Sequence, residues 1–233
     1  MFNILSIDWD YFINASANER LLYFPDVPNE KYNKSVQNSI WVSRYSQSDK
    51  LIDFEYCKEV HELVKNIMYI KNVMIAESHA DIYSFIKNLM GKHTHVNLVN
   101  IDFHSDFRKD IDEIDCGNWL SVLMDEYTGN YEWLGRDDSF KEGIPKKLHH
   151  RIRLKSVMKT IRCTVWNAVF VCRSDMWSPP HLDDAFTKSF YPLTEGRYKN
   201  VFIQDGIWNS RYSDEMKKNV EDLKKIYFDI SNK

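Results

Sequence analysis

Asp8, Asp10, His79, Asp102, His104 and Asp106 are the residues of this chain whose types and spacing can do chemistry together. Asp8 and Asp10 stand in Ser-Ile-Asp-Trp-Asp-Tyr-Phe, and His79 stands in Ile-Ala-Glu-Ser-His-Ala-Asp. The other three stand in Asn-Ile-Asp-Phe-His-Ser-Asp-Phe. In an extended chain alternate side chains point the same way, so Asp8 and Asp10 can share a face. Asp102, His104 and Asp106 can do the same if their strand continues through them. Carboxylates gathered this closely repel one another and resist ionisation, and a cation removes that cost. The set supplies enough ligands for two divalent ions, which at about 3.5–4 Å can share a water and make it hydroxide near neutral pH. Oxygen-rich ligation with some imidazole suits Mn²⁺ better than a thiolate-loving metal. Alone, an Asp-x-Asp after a strand reads as a cap and a histidine opening a helix as polar surface. Three potential ligands at period two after an apolar run do not.

The elements that position these groups alternate. Residues 2–7 read as a strand running straight into Asp8. Residues 54–70 repeat apolar positions at helical spacing (Phe54, Cys57, Val60, Leu63, Val64, Ile67) and predict an amphipathic helix. Residues 73–76 predict a strand, 80–90 a helix with Gly91 as its C-cap, 96–101 a strand and 117–127 a helix. Strands follow at 131–134 and 165–172, and helices at 183–190 and 213–228. Such alternation predicts an α/β fold with a mainly parallel sheet, whose ligands sit at the carboxyl ends of the strands. Residues 14–50 carry Pro25, Pro28 and many Asn and Ser, and read as a long insertion or substrate loop with little regular structure. The basic and polar segment 136–162, with His149, His150, Arg151 and Arg153, reads as a surface helix or as a loop.

Composition narrows the partners. The 233 residues carry a net charge of −3 with 43% hydrophobic and 28% charged residues, which suits one globular domain over 1–233. A near-neutral balance argues against nucleic acid as a partner. There is no GxGxxG and no Walker-type loop. The four cysteines lack CxxC spacing, which argues against a structural zinc site. No apolar run reaches the length of a membrane span, and the N-terminus has no secretory character, so a cytoplasmic protein with free thiols is expected. The aromatic fraction of 14% suits a cleft that grips a peptide or sugar.

The motifs also resemble a known family. Asp102-Phe-His-Ser-Asp106 resembles the Asp-x-His-x-Asp motif of the arginase and ureohydrolase superfamily. Glu77-Ser78-His79 resembles its Gly-Gly-Asp-His turn, and Ser6-Ile7-Asp8-Trp9-Asp10 its Ser-x-Asp-x-Asp motif. Cys116-Gly117-Asn118 resembles its Ser-Gly-Asn segment. In ordinary arginases the Ser-x-Asp-x-Asp segment comes late, whereas here it is at residues 6–10. Val169–Asp175 resembles the strand that normally precedes it. The chain therefore resembles a circularly permuted branch, and with Trp177-Ser-Pro-Pro180 it is similar to the peptide arginases.

The resemblance implies a three-layer arginase/deacetylase-like fold and two Mn²⁺ per chain held by Asp8, Asp10, His79, Asp102, His104 and Asp106. It implies hydrolysis of peptidyl arginine to peptidyl ornithine and urea in a ribosomally made precursor peptide. Catalytic roles fall to Asp106 and, facing the guanidinium, to Glu77 or Asp175, with Asp183 a further candidate that reads more readily as a helix first turn. Cys116, Asn118 and Trp119 fall where the family holds substrate. Trp119 and Leu120 occupy the region of the usual proton-shuttle histidine. His181, His149 or His150 would replace it, or the metal-bridging water suffices. Cys116 reads as a small buried hydrophobe rather than a nucleophile. The alternatives are a metal-dependent amidohydrolase or deacetylase, and a non-catalytic peptide-binding relative.

Overall fold

The structure, a computed structural model, describes residues 1–25, 27–28, 31–109, 113–139, 146, 148–152, 154–195 and 200–231. Strand β1 (Phe2–Asp8) leads into a 3-10 turn (Trp9–Phe12) and helices α1 (Ala17–Tyr23), α2 (Lys34–Gln47) and α3 (Glu59–Asn66). Then come β2 (Tyr69–Ile70), β3 (Asn72–Ala76), α4 (Asp81–Met90), β4 (His95–Ile101), α5 (Trp119–Glu126), β5 (Thr128–Leu134) and β6 (Leu148–Arg151). The chain continues through α6 (Leu154–Cys163), β7 (Val165–Trp166), β8 (Ala168–Cys172), α7 (Asp183–Phe190), β9 (Asn200–Ile203) and α8 (Asp214–Ser231).

Seven strands form one sheet in the order β6-β5-β4-β1-β8-β3-β9, with every neighbouring pair parallel. β2 and β7 make a small separate pair. Parallel strands buried on both faces need apolar residues at consecutive positions, and β1 and β8 have them. Along β1, Leu5 and Ile7 pack with Val60, Leu63, Val157, Ile161, Phe186 and Phe190 of α3, α6 and α7. Phe2 and Ile4 pack on the other face with Ile82, Phe85 and Ile86 of α4 and Leu120 and Leu123 of α5. The result is helix, sheet, helix in three layers. The connection crosses the sheet after β3, from one side of β1 to the other, so the carboxyl ends of β4, β1, β8 and β3 surround a topological switch point, where such folds bind ligands. Close strand approach constrains β5: a Cβ on Gly129 would stand 1.8 Å from the Val96 carbonyl oxygen. No described helix is long and apolar enough to cross a membrane.

Most expected elements are present with shifted ends, and α7 and the Gly91 cap of α4 are as read. Three expectations are corrected. Residues 14–50 are not a loop with little structure: α1 opens with a capping box between Ser16 and Glu19, and α2 is capped by Asn33. Only Arg20 is buried on α1, and only Trp41 and Tyr45 on α2, so neither helix carries an apolar stripe to detect. The helix expected over 54–70 starts only at Glu59, with Phe54 and Cys57 before it. The strand expected over 165–172 is two, β7 and β8, broken at Asn167. There the side-chain oxygen takes the Asn3 amide and the backbone carbonyl takes the Asn72 side chain. In addition, β9 has no counterpart in the sequence pattern, and the segment 136–162 contains β6 and all but the last residue of α6.

Candidate metal centre

β1 ends at Asp8 and the chain turns at once. The Asp8 Oδ1 accepts the Asp10 amide at 2.9 Å, which starts the 3-10 turn. β4 ends at Ile101, and the same device recurs: Asp102 Oδ1 accepts the His104 amide at 2.8 Å. The strands therefore do not continue through the two motifs as the period-two reading supposed. An aspartate that hydrogen-bonds two residues on makes a tight turn, which brings residues i and i+2 together by another route. Asp106 completes its turn with φ 50°, a backbone that disfavours side chains. His79 lies between β3 and α4.

These turns converge. His79 Nδ1 stands 3.2 Å from Asp8 Oδ2, 3.1 Å from Asp102 Oδ2 and 2.9 Å from Asp106 Oδ2. His104 Nδ1 stands 3.0 Å from Asp10 Oδ2 and 4.0 Å from Asp102 Oδ1. Asp102 thus presents one oxygen to each imidazole. Ligand atoms of Asp8, His79 and Asp102 lie within 4.8 Å of one another, as do those of Asp10, Asp102 and His104. All but His104 are buried.

Whether this set fits a cation is decided at His79. Its Nε2 is 2.6 Å from Ser6 Oγ, and its ring stacks on Phe170 at 5.7 Å and tilts against Trp119 at 4.9 Å. Despite three carboxylate oxygens within 3.2 Å, Nδ1 makes no well-directed hydrogen bond. In the tautomer whose Nε2–H donates to Ser6 Oγ, Nδ1 turns a lone pair toward three anionic oxygens, a repulsion that either a proton on Nδ1 or a cation among them relieves, and the carboxylate–imidazole donor set fits a divalent metal.

The same crowding shifts the titrations of the metal-free chain. Burial, then the charges of Asp10 and Asp102, pushes Asp8 up to about 7. Burial, then Asp106, pushes Asp102 up to about 8. Burial lowers His104, but Asp10 outweighs it and raises the imidazole to about 9. For His79, burial is likewise outweighed by Asp106 and the surrounding carboxylates, and its pKa lies well above the ordinary value. Burial would raise Asp10 as well, but His104 and Arg20 hold it below the usual range. Without metal, protons do part of a cation's work.

Around the cluster the structure distributes the other expected residues unevenly. A cavity of about 350 Å³ opens on Asp8, His104 and Asp106 and is walled by Leu21, Cys116 and Trp177. Cys116 is at that wall, while Asn118 and Trp119 are not among its lining. The Asn118 side chain accepts the Asp115 amide and donates to the Glu113 carbonyl, which spends it on shaping its own loop. Trp119 is fully buried and its Nε1 donates to Asp106 Oδ2 at 2.6 Å, so it acts on the cluster from behind. Neither contacts the cleft as the substrate-binding reading required.

Glu77 and Asp175 are spoken for as well. Glu77 takes Lys34 Nζ at 2.7 Å, Arg173 Nη2 at 3.5 Å and the Gln204 amide at 3.2 Å. Asp175 takes Arg173 Nε at 2.6 Å, and Arg211 stands 3.7 Å away. Burial would raise Asp175, but Arg211 and Arg173 hold it below the usual range. Asp183 lies in the first turn of α7 and binds Arg211 at 2.6 Å. These acids form an ion-pair lattice beside the site, and none lines the cavity. His181 is held by Tyr45 Oη at 2.6 Å and by the Phe54 carbonyl, and neither it nor His149 nor His150 lines the cleft.

Two participants were missed in the sequence. Arg20 is buried, donates to the carbonyls of Asp10, Ile13 and Ala15, and lies 3.6 Å from Asp10 Oδ2 and 3.9 Å above the Phe103 ring. Ser174 donates to Asp8 Oδ2. No local pattern marks either residue, since each works only through a contact distant along the chain or formed by a turn.

Compared with known proteins, the chain matches no family model, no curated protein and no solved structure.

Proposed function

We propose that this chain is a binuclear manganese hydrolase that converts arginine within a ribosomally made precursor peptide to ornithine, with release of urea. The observation that carries the reading is the pair of carboxylate–imidazole groups that share Asp102 at the carboxyl ends of the central strands. Motif order supports a circularly permuted arginase-like arrangement: Asp8 and Asp10 come first in the chain yet stand beside Asp102 and His104 in space. Asp8, His79, Asp102 and Asp106 would hold one ion, and Asp10, Asp102 and His104 the other. Bound metal would supply a hydroxide at neutral pH and Lewis-acid stabilisation of developing charge.

The chain's own residues do the rest. Ser6 fixes the His79 ring so that Nδ1 faces the carboxylates. Arg20 braces the turn that carries Asp10. Buried Trp119 and Phe170 close the back of the site to water, and the cavity leaves access from the side of His104 and Trp177. With Glu77 and Asp175 neutralised, the guanidinium would be oriented by the cluster itself and by peptide contacts along Leu21 and Trp177 rather than by a dedicated acid. Addition of water to the guanidinium carbon and cleavage of its bond to the side-chain nitrogen give ornithine and urea.

A second reading has its own observation. Among the described residues, the only acids lining the cleft are Asp8 and Asp106, which face the metal cluster. A neutral amide, as in a deacetylase, needs no counter-charge there. Mass spectrometry of an arginine-containing peptide and of an acetyl-lysine peptide, each incubated with the manganese-loaded protein, separates the two. Loss of the elements of cyanamide per arginine, with urea appearing, supports the first reading. Loss of acetyl groups alone would replace it with the second.

A further inference from the structure

Among the described residues, the non-glycine positions with left-handed backbone are Asp106 and Ser174, at φ 50° and 55°. Both are at the metal cluster. Asp106 belongs to the candidate ligand set, whereas nothing in the sequence motifs accounts for Ser174. A side chain in this region is strained, and a glycine would relieve the strain at the loss of the hydroxyl's contacts alone, with Asp8 Oδ2 and Cys172 Sγ. A serine kept in such a conformation, 2% exposed, points to work done by its hydroxyl.

That work is visible. Ser174 Oγ donates to Asp8 Oδ2 at 2.5 Å. Oδ2 is also the oxygen that stands 3.2 Å from His79 Nδ1, while Oδ1 takes the Asp10 amide. Each oxygen of Asp8 thus has one donor, and together the two donors fix the carboxylate plane. Ser174 is itself held tightly. Its amide donates to Cys172 Sγ, and its carbonyl accepts from the Trp177 amide at 2.8 Å and from Ser178 Oγ at 2.9 Å. Cys172 pairs with Asp8 in the β8–β1 register, so the turn after β8 is anchored one residue pair from the carboxylate it contacts.

We propose that Ser174 is a positioning residue of the metal centre, whose hydroxyl aims Asp8 Oδ2 at the space beside His79 Nδ1 and so raises affinity for the ion held there. This rests on the metal reading given above. Outer hydrogen bonds of this kind commonly change metal affinity by about 10–100-fold when removed.

The test compares the full chain with Ser174→Ala and Ser174→Gly. Manganese is titrated into each chelator-treated protein, with free Mn²⁺ followed by its electron paramagnetic resonance signal, and the metal-free proteins are melted in parallel. The expected result is at least tenfold weaker binding of one of the ions in both variants, with the glycine variant melting higher than the alanine variant. Binding within twofold of wild type in both variants would overturn the proposal, leaving Ser174 a turn residue. So would wild-type binding in the glycine variant alone, because backbone strain and not the hydroxyl would then be responsible. If wild-type protein takes up no manganese, the metal reading itself fails, a result distinct from either.

Discussion

The metal-free and metal-loaded chains should respond to pH in opposite directions. In the metal-free chain Asp8 and Asp102 titrate near 7 and 8 and His104 near 9, all above their ordinary values. A group whose folded pKa is raised stabilises the fold fully below its unfolded pKa, and that contribution is lost as pH climbs through the folded value. For the two aspartates the loss begins above about 4 and for His104 above about 6.5, so all three weaken the fold between pH 6.5 and 8. The three groups titrate as a coupled set and all act in the same direction over that interval, so the loss is on the order of a few kcal/mol. For a chain of this length that is on the order of 10 °C in melting temperature. His79 acts in the same direction. Asp10, held low, contributes nothing in this window. Metal reverses the sign, because the ligands must be deprotonated to bind it, so affinity grows with pH. The assay is thermal melting from pH 6.5 to 8, with chelator and with saturating manganese. The chelated protein should melt progressively lower, and the gap between the two curves should widen with pH. A melting temperature that rises with pH in chelator, or a constant gap, would mean that the cluster does not hold protons in the metal-free fold or release them to metal.

Three further outcomes follow from particular contacts. Trp119→Phe keeps the buried ring but removes the donor to Asp106. Since a hydrogen bond to a charged group is worth about 1.5–3 kcal/mol, manganese affinity should fall about tenfold or more in a titration, with little change in fold by circular dichroism. Arg20→Met removes one of the two cations beside Asp10, His104 being the other, and takes a donor from the carbonyls of Asp10, Ile13 and Ala15. Denaturant melts of the metal-free protein should show a loss of about 1–3 kcal/mol. Under the proposed activity free arginine should be a poor substrate: Cys116 stands at the cleft where the Ser-Gly-Asn segment it resembles has serine, and the Asn118 side chain is spent on its own loop. A missing polar partner for a charged terminus costs about 1–3 kcal/mol, so kcat/KM for free arginine should lie roughly tenfold or more below that for an arginine-containing precursor peptide, and equal values would contradict the peptide assignment.

The cluster was legible because its six side chains fall in three short segments directly after apolar runs that can only be buried strands. Composition and alternation sufficed to place those runs in a parallel sheet. The path taken by Asp102, His104 and Asp106 was not legible. Period-two spacing suits a strand and an aspartate turn alike, and only the Asp102–His104 hydrogen bond decides between them. Helices α1 and α2 were hidden for a different reason: they bury single large or charged residues instead of a stripe, so periodicity carries no signal. Glu77 and Asp175 looked available because their partners, Lys34, Arg173, Gln204 and Arg211, come from four separate parts of the chain or depend on a turn. Arg20 and Ser174 show the same limit from the other side, since nothing in the residues around them announces a buried contact with a carboxylate of the cluster.

If Asp102 joins the two carboxylate–imidazole groups, its removal should disturb metal uptake at both. This is read by elemental analysis of protein loaded with manganese and freed of excess, set beside Asp102→Ala treated identically. Close to two equivalents per chain are expected in the wild type, with a clear fall in the variant. One equivalent that is unchanged by Asp102→Ala would rule out a shared Asp102.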